Sequence, residues 1–81
     1  MSDTISLFTV QNLKTMKNNI RVERAILRIT QQQLAEMIGV SRQTINAIEA
    51  EKYVPSTVLA LKIAKVCNKK VEDIFYLEDE D

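Results

Sequence analysis

The 81-residue chain has no histidine and no tryptophan, and only one cysteine, one glycine and one proline. Without histidine it lacks the commonest general base and a principal metal ligand, and no cysteine cluster takes its place. There is no Gly-rich phosphate loop and no nucleophile beside a recognisable base, so the residues point away from an enzyme and from any cofactor or bound metal. The lone Cys67 rules out an intrachain disulfide and fits a reducing, cytoplasmic setting. No apolar run approaches a membrane span or a secretory signal, so no membrane partner is expected. Aromatics are few, which implies an aliphatic core, and scarce Gly and Pro favour helices with short connections. The length suits one small domain with a single core.

The formal net charge is zero, but the charges are unevenly placed. All eleven basic residues lie between Lys14 and Lys70, whereas Asp3, Glu78, Asp79, Glu80 and Asp81 sit at the chain ends. Setting those five acids aside leaves eleven basic residues against six acidic ones, a body of net charge +5. The body is therefore mildly basic, and residues 78–81 form a separate acidic tail, read as a solvated end.

Residues 1–15 form a leader that differs from the rest. Its stretch Ile5-Ser6-Leu7-Phe8-Thr9-Val10 is β-branched, apolar and roughly alternating. It reads either as a strand or ordered arm, or as a disordered leader or upstream start with the domain beginning at Met16. The domain proper spans residues 16–77. A first helix is expected over residues 22–27, or from Asn18 in its longer form, with Val22, Ala25, Ile26 and Ile29 as its buried stripe. Thr30 with Gln33 makes a Thr-x-x-Gln capping box for a second helix over residues 31–38. Gly39 closes that helix and Val40 fills the turn. Ser41 caps a third helix running from Arg42 to about Glu51. Ser56 caps a fourth, with stripe Leu59, Leu61, Ile63, Ala64, Val66 and Cys67. Residues 71–75 make a short fifth, and Tyr76-Leu77 continue as an extended edge.

Within residues 31–50, Leu34, Ala35 and Ile38 form the inner face of one helix and Ile45 and Ile48 that of the next. Such a helix-turn-helix unit can present its second helix to the DNA major groove. The chain resembles the Cro/repressor-like helix-turn-helix regulators (the XRE type). The resemblance covers Met16 to Leu77 and rests on Gln31, Leu34-Ala35, Ile38-Gly39-Val40-Ser41, Ile45, Ile48-Glu49, Pro55-Ser56, Leu61, Ile63-Ala64 and Asp73-Ile74-Phe75. The run SRQTINAIE followed by KYVPS is similar to very small dimeric repressors of the cytolysin-operon repressor type. This implies a mainly α, five-helix, lambda-repressor-like DNA-binding fold, extended in those proteins by short terminal β-strands. Lys70 departs from the Ser that many relatives carry as cap of the fifth helix, so that helix is expected to fray or start differently.

The resemblance also implies where double-stranded DNA would be met. Arg42, Gln43, Asn46 and Ala47 are expected at base edges: Arg suits guanine O6 and N7, Gln or Asn suit adenine N6 and N7, and Ala47 offers a methyl or merely room. Arg42 fits a phosphate equally well. Gln31, Ser41, Thr44, Lys52 and Tyr53 are expected at the DNA backbone, Gln31 because it opens a helix whose free N–H groups and dipole favour an anion. The alternative for Tyr53 is a ring packed over the fourth helix. Lys17 and Arg28 are weaker phosphate candidates. Glu49 is expected to pair inside the domain, with Arg24 or Arg28. Cys67 reads as a small core residue rather than a redox sensor.

Recognition helices of this kind usually work as two-fold dimers on palindromes with half-sites about 34 Å apart. Ile74-Phe75-Tyr76-Leu77, with part of the fourth helix, is the expected homodimer interface, because four successive apolar residues at a chain end are hard to bury in so small a domain. The plainer alternative puts Ile74 and Phe75 in the core and leaves Tyr76 and Leu77 exposed. The expected function is a DNA-binding regulator, a repressor acting by operator occupancy. An alternative of a different class is an antitoxin-like module whose termini hold a protein partner, with DNA binding secondary.

Overall fold

The computed structural model describes residues 16–77; the leader and the acidic tail lie outside the described residues. Five helices and two short strands follow in order: β1 Lys17–Asn18, α1 Ile20–Leu27, α2 Gln31–Ile38, α3 Arg42–Glu49, α4 Thr57–Cys67, α5 Val71–Ile74 and β2 Phe75–Tyr76. The strands pair antiparallel, Lys17 opposite Tyr76 and Asn18 opposite Phe75, which ties the start of the domain to its end. Asn19 N–H reinforces the tie by donating to the Ile74 carbonyl at 2.8 Å.

Local chemistry sets the helix ends. The Thr30 hydroxyl accepts from Gln33 N–H at 3.0 Å while the Gln33 amide oxygen accepts from Thr30 N–H at 2.8 Å, a reciprocal capping box that starts α2. Gly39 ends it at φ 77°, a left-handed conformation that costs glycine little. No atom stands within 4 Å of where its Cβ would lie, so the backbone angle rather than space calls for glycine here. Ser41 caps α3 by accepting from Thr44 N–H at 3.2 Å, and Ser56 caps α4 by accepting from Leu59 N–H at 3.2 Å. Helix α3 stops at Glu49, two residues short of the expected end, as the chain turns through Glu51 at φ 64°. Lys70 gives α5 no side-chain cap, and α5 is a single four-residue turn.

The core is aliphatic. Ile20, Leu34, Ile45, Ile48, Ile63 and Ile74 are fully buried, joined by Ala35, Ile38, Leu59, Ala64, Cys67 and Phe75. Met16, Val40 and Val71 pack at its margin.

The expected stripe of α1 is corrected. Val22, Ala25 and Ile26 are exposed and Ile29 is only half-buried; the inner face carries Ile20 and Glu23. The helix begins at Ile20, where Asn18 anchors its register. The Asn18 side chain accepts from Ile20 N–H at 3.2 Å and donates to the Ile48 carbonyl at 2.8 Å. Glu23 can occupy an inner position because the Lys69 ammonium meets it at 3.0 Å. Leu61 is also exposed, against its expected place on the α4 stripe.

Candidate nucleic-acid interface

Helix α3 has two faces of opposite character. Ile45 and Ile48 are in the core and hold it against α2, whereas Arg42, Gln43 and Asn46 are exposed and Ala47 is half-buried beside them. These four therefore lie together on or beside the outward side of a helix whose inner side is fixed. Residue types and placement both suit base edges: a guanidinium, two amides and a methyl at the spacing of one helical face.

The acidic residues that would oppose a polyanion are neutralised from behind. The Glu49 side chain is only 1% exposed, and Arg24 grips it with two bonds, at 2.6 and 3.1 Å. Arg24 also donates to the Ile29 carbonyl at 3.1 Å, and Arg21 lies 3.6 Å from the same carboxylate. Burial pushes the Glu49 carboxyl up, but hydrogen bonds from Arg24 and Gln31, with the charges of Arg24 and Arg21, outweigh it and hold it below its ordinary range. The Glu49 hydrogen bond in turn raises Arg24, against its own desolvation. Of the two partners expected for Glu49, Arg24 is the one that binds it. Glu51 pairs with Lys17 at 3.1 Å.

Gln31 joins this network. Its amide nitrogen donates to Glu49 at 3.1 Å and to the Asn46 side-chain oxygen at 3.4 Å. Both side-chain protons of Gln31 are thus engaged within the domain. Its backbone N–H belongs to the first turn of α2, where helix geometry provides no intrahelical acceptor. Ser41 and Thr44 hydroxyls face each other at 3.0 Å, leaving one hydroxyl proton of the pair over. Lys52 is exposed and Tyr53 is half-exposed after the turn that follows α3.

At the end of the domain, burial follows the plainer of the two arrangements expected for residues 74–77. Ile74 is fully buried and Phe75 nearly so, because the β1–β2 pairing folds them inward; Tyr76 and Leu77 are about half-exposed. Next to them lies an apolar groove of about 390 Å³, lined by Met16, Pro55, Thr57, Ala60, Leu61, Val71 and Phe75. Burial pushes the Cys67 thiol up, Glu23 adds to this and Lys69 opposes it, which leaves the thiol protonated near neutrality and unsuited to a sensor.

Sequence reasoning did not find the coupling of Gln31 to Asn46 or the anchoring role of Asn18. Those partners are 15 and 30 residues apart, and no local pattern encodes such contacts.

The helix-turn-helix family pattern matches residues 20–74, spanning all five helices. The chain belongs to the XRE-type helix-turn-helix family. Relatives within it include an uncharacterized HTH-type transcriptional regulator of Methanocaldococcus jannaschii, 54% identical over 66 residues, 82% of this chain and all of that protein. Another, of Bacillus subtilis, is 50% identical over the same span and equally complete. Among solved structures, a candidate DNA-binding protein from Bacteroides fragilis superposes with a TM-score of 0.68 at 31% identity, covering 75% of this chain and 98% of that one. No helix among the described residues of this XRE-type chain is long and apolar enough to cross a membrane.

Proposed function

We propose that this protein is a DNA-binding transcriptional regulator that reads a palindromic operator as a homodimer and represses by occupying it. One observation carries the reading: the outward side of α3 gathers Arg42, Gln43, Asn46 and Ala47, while Glu49 at its base is buried and neutralised. The names of its relatives, HTH-type transcriptional regulators, point the same way.

In this mechanism Arg42 and Gln43 meet base edges near the start of α3, and Asn46 and Ala47 meet them one turn on. The backbone N–H of Gln31, the spare hydroxyl proton of Ser41 and Thr44, the Lys52 ammonium and the Tyr53 phenol take phosphates and set the register. The basic body contributes affinity without sequence preference by releasing counterions.

One α3 reads only a few base pairs, so a second copy supplies the other half-site. The dimer face combines Leu61, Tyr76 and Leu77 around the apolar groove, since these large side chains stay exposed in the single chain. Gln43→Ala tests the reading by gel-shift titration on a selected operator. A fall in affinity of about tenfold or more, with unchanged thermal unfolding, is expected; equal affinity for mutant and parent would refute the assignment.

A further inference from the structure

An uncharged segment of the chain and an uncharged groove of the domain meet at Met16. From Thr4 to Leu13 no residue is charged, in a chain of which 27% is charged. The groove of about 390 Å³ is lined by Met16, Pro55, Ala60, Leu61, Val71 and Phe75, with Thr57 the one polar side chain among them. Its volume is many times the roughly 30 Å³ that a water takes in the liquid, so apolar side chains suit it better than single waters. Leu61 on its wall is 55% exposed, whereas Met16 packs against the core and is also where the described domain begins. The leader therefore joins the domain at the rim of the groove.

We propose that Ile5-Ser6-Leu7-Phe8-Thr9-Val10 docks in this groove of its own chain and thereby competes with a second copy for the same face. The competition rests on the dimer face proposed above; the docking does not. As a strand, the segment places Phe8 and Val10 on one side, and that apolar side, nearer to Met16, enters the groove. From Val10 to Met16 the chain extends at most about 20 Å, and Gln11-Asn12 supply polar, turn-forming residues for the return. So short a tether gives an effective concentration in the millimolar range, which favours the chain's own segment over that of a free copy. The other segment outside the described residues, 78–81, is the wrong occupant, because its four acids would lose water against a surface with no charge to pair them. Docking also covers a β-prone, uncharged, proline-free run that is an aggregation hazard when left in solvent.

The chain has no tryptophan, so a single one can report on the segment. The test compares the emission of full-length Phe8→Trp with that of Ser2→Trp, which lies outside the docked run, over a range of protein concentrations. Phe8→Trp is expected to emit at shorter wavelength at every concentration. Adding Leu61→Glu, which places a charge on the groove wall, should move its emission to that of Ser2→Trp, whereas Ile26→Glu on the exposed face of α1 should not. Replacing Phe8 and Val10 together by Ser should empty the groove and tighten self-association in sedimentation by about tenfold or more, as a mostly occupied face becomes free. A Phe8→Trp spectrum matching that of Ser2→Trp at all concentrations would overturn the docking and leave the DNA-binding function standing. A shift seen only where sedimentation shows dimers would overturn docking in the chain's own groove and place the segment on the partner. A concentration-independent shift with self-association unchanged by the two serines would overturn the competition, and the dimer face with it, while the docking stands.

Discussion

The two sides of this small domain are finished to different degrees. On the α3 side a polar network is closed within the chain: Glu49 holds Arg24 and Gln31, Gln31 holds Asn46, and Glu51 holds Lys17. On α4 and β2 apolar groups remain uncovered: Leu61, Tyr76 and Leu77 are about half-exposed, and Leu61 lines an apolar groove. The first side is preorganised and needs only its ligand. The second leaves large apolar side chains in contact with solvent. Under the proposed function the two sides suit two different partners: fixed polar chemistry for DNA and uncovered hydrophobic area for a second copy.

The comparison is broken most severely at Glu49. Glu49→Ala leaves the Arg24 guanidinium without its carboxylate in a mostly buried place, and should cost about 3 kcal/mol or more, measured by urea unfolding. In a domain whose total stability is of order 5–15 kcal/mol, that is a large fraction. The same residue gives a pH dependence. Its pKa is lowered on folding, so the folded state binds fewer protons than the unfolded state as pH approaches the ordinary glutamate range. The pair's contribution is full above the unfolded value, about 4.3, and is lost as pH falls below it through the lower folded value. Parent stability should fall across that acid window, and the fall should be smaller in Glu49→Ala. An equally steep fall in both would remove Glu49 as the cause.

The other side yields to a milder change. Leu61→Glu places a charge on the exposed face of α4 and should alter monomer stability by no more than about 0.5 kcal/mol. In sedimentation it should convert a dimer to a monomer, and affinity for a two-half-site operator should drop about a hundredfold as the linked second contact is lost. A Leu61→Glu protein that remains dimeric would place the interface elsewhere.

How much was legible in the sequence follows the same division. The starts of α2, α3 and α4 were readable because Thr30, Ser41 and Ser56 cap through hydrogen bonds within three residues, and Gly39 marks a left-handed stop. The DNA-facing set on α3 came from the family resemblance, and the one apolar face of that helix, Ile45 and Ile48, agrees with it. The stripe of α1 was misread because its register comes from distant contacts: Asn18 to the Ile48 carbonyl and Glu23 to Lys69. Helical periodicity alone favoured the apolar Val22 and Ile26 over a charged inner face whose partner lies 46 residues away. Ile74 and Phe75 were offered to a partner because the strand that turns them inward, Lys17–Asn18, carries no strand-like pattern. The contact of Gln31 with Asn46 is illegible for the same reason, since it joins residues 15 positions apart on two helices.

The central claim is that α3 faces DNA while the α4–β2 face does not. The most direct measurement is an amide chemical-shift map of the isotopically labelled protein titrated with its selected operator. The account predicts the largest changes at Gln31, across Ser41 to Ala47, and at Lys52 and Tyr53, with Leu61, Tyr76 and Leu77 little moved. Changes centred on Leu61, Tyr76 and Leu77 with a silent α3 would contradict it.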